Sequence, residues 1–115
     1  MRPGMGASGA NNEQTAVATH SPTAAETSFT TVAATLPGGA VGIPKYVDCS
    51  GNVAGIIQVA FGSQANKAVS IAPNQLPTRI MIPPGAFPNK PNSVNIQFQG
   101  FAAGTMVAVV TFQVG

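Results

Sequence analysis

The chain has 115 residues, with five Lys or Arg against three Asp or Glu, a formal net charge of +2 and one cysteine. Charged residues make up 7 % of it and hydrophobic residues 44 %, where a soluble globular domain carries roughly 25 % charged side chains. The length supports one domain, Cys49 alone forms no intrachain disulfide, and the isolated cations Arg2, Lys45, Lys67, Arg79 and Lys90 lack the concentrated basic surface that nucleic-acid binding needs.

Charge keeps freely diffusing proteins apart. A chain this poor in it is expected to cover much of its exterior with other subunits. Met1-Arg2-Pro3-Gly4 opens without the apolar run of a signal peptide, and no stretch approaches the roughly 20 apolar residues of a membrane span. Arg2 is not the glycine that myristoylation requires. The expectation is assembly in a reducing cytosol, with no membrane partner.

Residues 1–27 are mainly Gly, Ala, Ser, Thr, Asn and Gln, with Val17 the sole β-branched aliphatic. Such a segment buries too little apolar surface to offset its ordering entropy alone. It is expected to be an extended or flexible N-terminal arm, one that either orders across a neighbour in an assembly or stays a disordered tail with no role. From Ser28 the texture changes to short β-branched and aromatic runs between Pro, Gly and Asn clusters, the punctuation of an all-β domain. Strands are predicted near 28–36, 41–49, 53–61, 67–72, 78–82, 93–99 and 105–114. Turns are predicted at Pro37-Gly38-Gly39, Ser50-Gly51-Asn52, Gly62-Ser63, Pro73-Asn74, Pro83-Pro84-Gly85 and Ala103-Gly104. The fold class is therefore a small β-sandwich or jelly-roll-like domain over 28–115.

Within Val53–Phe61 only Gln58 is polar, and its β-branched residues favour a strand over a helix. Pro83–Asn92 holds four prolines in ten residues and reads as a stiff surface loop. In the strand at 93–99, Val94, Ile96 and Phe98 face one way and Ser93, Asn95, Gln97 and Gln99 the other. The last strand places Met106, Ala108, Val110, Phe112 and Val114 inward. Its second face, with Thr105, Val107, Val109, Thr111 and Gln113, is half apolar and calls for a cover, either another sheet edge or a subunit.

Residues able to do chemistry are few. Gly4-Met5-Gly6-Ala7-Ser8-Gly9 matches a phosphate-loop string but lacks the strand and helix that string needs. His20 is the only histidine and lies in the arm. Cys49, between Asp48 and Ser50, lacks a base in reach for nucleophilic catalysis. One His, one Cys, one Asp and two Glu do not make a metal ligand set. The chain is expected not to be an enzyme, and no cofactor is expected. Phe61, Phe98 and Phe112 are in core phase, whereas Tyr46, Phe87 and Phe101, with Val107 and Val109, are the candidate interface residues.

The order Lys45-Tyr46-Val47-Asp48-Cys49, then Ile57-Gln58-Val59-Ala60-Phe61-Gly62, then Arg79-Ile80-Met81-Ile82-Pro83-Pro84-Gly85, then Gly104-Thr105-Met106-Val107-Ala108-Val109-Val110-Thr111 resembles the small all-β capsid cement or decoration proteins of tailed bacteriophages. The resemblance implies a structural virion protein on the outer surface of a phage head, assembled in the host cytoplasm. Its partners would be the major capsid protein and further copies of itself, as a trimer or dimer. The alternatives are a tail, fibre or spike component and a small glycan- or host-surface-binding β module.

Overall fold

The computed structural model describes residues 12–61 and 66–114. Eight strands appear: β1 (Glu13–His20), β2 (Thr30–Thr35), β3 (Gly42–Gly51), β4 (Gly55–Val59), β5 (Lys67–Ile71), β6 (Thr78–Met81), β7 (Ser93–Gly100) and β8 (Met106–Val114). They form two four-stranded antiparallel sheets, sheet I in the order β1-β8-β3-β6 and sheet II in the order β2-β7-β4-β5. Every connection passes between sheets except β4–β5, and this wrapped double Greek key is the jelly roll. Among the described residues, no helix is long and apolar enough to cross a membrane.

The alternation in the sequence sets the core. From sheet II, Val94, Ile96 and Phe98 meet Ile57 and Val59; from sheet I, Met106, Ala108, Val110 and Phe112 meet Val47 and Cys49, all of them buried. Burying such side chains is worth roughly 1.5–3 kcal/mol each for the larger ones. The punctuating residues act where the backbone must turn sharply. Gly38, Gly39 and Gly85 have φ of 68°, 73° and 83°, and Asn74 supplies the left-handed residue of the β5–β6 turn at φ 64°, a conformation Gly and Asn adopt most cheaply. The expected turn at Gly62-Ser63 and the phosphate-loop string at 4–9 lie outside the described residues.

Each of the seven predicted strands has its counterpart, and the eighth corrects the boundary at residue 28. Residues 13–20, expected within an arm, are an edge strand paired residue for residue with β8, from Glu13 opposite Gln113 to His20 opposite Met106. Ala16 and Ala18 are buried on its inner side. Their small side chains bury little area, so the hydrophobic period that marks a strand is faint here, while Thr15, Val17 and Thr19 supply β-branched residues on the outer side. The following segment is also fixed. Glu26 N–H donates to Gly100 O at 2.8 Å, and Gly104 N–H to Pro22 O at 3.0 Å.

Candidate interaction surface

With the inner faces filled, the outward positions of the two sheets and the two ends of the sandwich make the exterior. On sheet I the register aligns Thr19, Val107 and Ser50 in one row, Val17, Val109, Asp48 and Arg79 in the next, and Thr15, Thr111, Tyr46 and Met81 in a third. Among the described residues no second sheet lies over this face. Val17 is 54 % and Met81 58 % exposed, Val107, Val109 and Tyr46 are half-buried, and Thr111 is closed in by its neighbours. One ionic cluster interrupts it. Arg79 donates to both Asp48 carboxylate oxygens, at 2.8 and 3.2 Å, and its guanidinium sits 3.8 Å from the Tyr46 ring centroid, a geometry that favours a cation over the ring face.

Sheet II presents a different outer face. Thr31, Ala33 and Thr35 of β2, Ser93, Asn95, Gln97 and Gln99 of β7, Ile56 and Gln58 of β4, and Ala68 and Ser70 of β5 occupy its outward positions. None is charged. The Gln58 amide donates to Gln97 Oε1 across the strand pair. Amides and hydroxyls on a sheet face lose little when buried, provided that the partner returns their hydrogen bonds.

Phe101 and Phe87 lie at opposite ends. Phe101, 48 % exposed, is in the β7–β8 loop beside the β1–β2 and β3–β4 connections, its N–H donating to Ala54 O at 2.9 Å. Phe87 is in the proline-rich β6–β7 loop, which meets the β2–β3 loop where Asn92 Nδ2 donates to Leu36 O and Ala40 O. Phe87 packs edge-on against Phe61, with centroids 6.0 Å apart at 87°. Its ring is half-buried and braced against its own domain. The structure thus gathers Tyr46, Val107 and Val109 on sheet I and separates the two phenylalanines. Exposed residues that the sequence reading passed over are Val17, Met81, Ile43 and Leu76, the last 88 % exposed in the β5–β6 loop. Only the alternation through β1 could have announced Val17.

The chemically capable residues are engaged internally. Cys49 is fully buried, and burial followed by the nearby Asp48 charge pushes its thiol up to about 12. A thiol held protonated is a poor nucleophile. His20 and Glu26, remote from any partner in the sequence reading, meet at the Gly100 end. His20 Nε2 donates to the Glu26 carboxylate, lying 2.9 and 2.8 Å from its two oxygens, which can only accept. Glu26 also accepts from Gly100 N–H at 2.8 Å, while Gln99 Nε2 donates to its backbone carbonyl. The Gly100 bond, opposed by desolvation and aided by His20, holds the Glu26 carboxyl below its ordinary range. This cluster ties the β1–β2 connection to β7. Among the described residues, no group of three or more His, Cys, Asp or Glu is placed to hold a metal ion. No protein-family profile, curated protein or solved structure matches the chain.

Proposed function

We propose that the chain is a structural virion protein, a cement or decoration subunit that lies on a phage head and bonds neighbouring major capsid proteins. One observation carries the reading: across four strands the outer face of sheet II holds hydroxyls, amides and a few apolar groups and no charge. A free domain gains solubility from charge on such a face, whereas a subunit docked on a shell avoids the cost of desolvating it. The Val17–Val109 and Thr19–Val107 rows of sheet I supply a second, more apolar face for contact between copies. The jelly roll is used by viral shells, and also by lectins and cupins, so the fold supports the reading without deciding it.

Co-sedimentation with expanded phage heads, followed by imaging of the decorated particle, tests it. The expected result is saturable binding that Asn95→Lys, at an exposed position of the same face, abolishes while the thermal midpoint of the free protein is unchanged. Absence of binding, or binding indifferent to charge on both sheet faces, overturns it. Glycan binding dependent on Tyr46 or Phe101 would instead establish the recognition-module reading.

A further inference from the structure

We infer that the proline-loop end carries a docking groove for an acidic, apolar peptide segment of another protein. The groove is an open cavity of about 460 Å³ between the start of β3 and the β6–β7 loop. Its apolar surface comes from Ile43, Ile82, Phe87 and Pro88, and its rim carries Lys45 and Lys90. No carboxylate lines it.

Three features of the chain build this site. First, the β3–β8 register shifts between Pro44 and Tyr46, so Lys45 is the extra residue of a β-bulge, the device that re-aims a side chain at a sheet margin. Second, the bulge is fastened to the loop, since Ile82 N–H donates to Lys45 O at 3.1 Å. Third, the prolines and the Phe61–Phe87 contact hold the loop in shape before anything binds, which reduces the ordering cost of association.

The charge around the groove selects its occupant. Asp48 is bonded to Arg79, and Glu26 to His20 and Gly100 at the opposite end. Lys45 and Lys90 have no ion pair among the described residues. Strand order brings Lys67, at the start of β5, to the same end, with Glu13 on the β1 edge as the sole acid there. A groove with an apolar floor and two unopposed ammonium groups complements alternating carboxylate and aliphatic side chains. Two lysines neutralise too few phosphates to favour a nucleic-acid backbone. The site stands or falls independently of whether the protein coats a shell.

The test is amide-resolved NMR titration of the full chain with a short blocked peptide of alternating leucine and aspartate. The asparagine counterpart of that peptide and a single-stranded oligonucleotide run beside it. The expected result is saturable movement of resonances at Ile43, Lys45, Phe87 and Lys90 with the aspartate peptide. Lys45→Glu with Lys90→Glu should weaken that binding about tenfold or more, as should replacing aspartate by asparagine. Both lysines are exposed, so an unchanged spectrum outside the groove certifies the variant's fold, and Lys45→Gln with Lys90→Gln serves as the milder pair. The inference is overturned if neither peptide moves these resonances, if both bind equally, if the charge-reversed protein binds as well as the original, or if the oligonucleotide binds there more tightly than the peptide.

Discussion

The incorporation of residues 13–20 into sheet I makes a sharp demand on two neighbouring positions. Ala16 is 3 % exposed opposite Val110, and Val17 is 54 % exposed opposite Val109. Placing a carboxylate at each in turn therefore sends one into the core and the other into water. An uncompensated charge in a protein interior costs about 3–5 kcal/mol, a large part of the 5–15 kcal/mol that holds a typical domain together. At about 4 °C or more per kcal/mol for a domain of this size, Ala16→Asp should lower the thermal midpoint by roughly 12–20 °C or prevent folding. Val17→Asp, at the surface, should stay within about 0.5 kcal/mol, or about 2 °C. Circular dichroism melts of the two variants beside the parent measure the contrast. Two small and equal shifts would show that the segment is not part of the sandwich. Two large and equal shifts would show that its register is not the one described.

Cys49 should react with a thiol reagent only after denaturant opens the sandwich, one equivalent per chain. Rapid labelling under native conditions would contradict its burial. Because Glu26 is held below its ordinary range, the ionised form is favoured by folding, so its stabilising contribution is present above about pH 4.5 and is lost as the pH falls through the lowered folded value. Thermal midpoints measured down to pH 3 should therefore fall more steeply for the parent than for Glu26→Gln, and parallel curves would refute the linkage. At Gly55 an added Cβ would stand 2.5 Å from Gln99 O and 2.7 Å from Met106 Cε. Gly55→Ala should therefore cost about 1–3 kcal/mol, read by urea denaturation, and a neutral result would mean that β4 and β7 separate more easily than their register suggests.

The sequence announces elements better than it announces neighbours. Val94, Ile96 and Phe98 declare their strand by strict alternation, and Gly38 and Gly85 mark turns that need positive φ. β1 is quiet because alanines fill its inner side, so its place is settled by a partner nearly a hundred residues away rather than by its own pattern. The same distance governs the surface. Tyr46 lies opposite Thr111, with Val109 opposite Asp48 and Val107 opposite Ser50, an adjacency made by the β3–β8 pairing alone. Phe87 and Phe101 look alike as loop aromatics, yet the antiparallel course of β7 sends the loops at its two ends to opposite poles. The His20–Glu26 bond and the Lys45–Lys90 groove are likewise products of chain return, for which local spacing carries no signal.

Where the few charges stand bears on why the chain has so few. Asp48 and Arg79 neutralise each other on sheet I, and Glu26 is spent on His20 and Gly100. Among the described residues Glu13, Lys45, Lys67 and Lys90 remain, all at the proline-loop end. Had the purpose of these groups been to keep a monomer dispersed, they would serve best spread over the two broad sheet faces, where contact between copies is easiest. Their concentration at one pole leaves sheet II without ionised groups and gives the molecule a direction. A subunit packed side by side against companions keeps only its poles in reach of water or of a second kind of partner. Ionised groups at a pole cost nothing in desolvation when the flanks are buried. Polar placement of charge and an uncharged sheet II flank are thus one arrangement, and on the proposed reading a lysine moved from the pole to the exposed Asn95 should abolish co-sedimentation with phage heads while leaving the thermal midpoint unchanged.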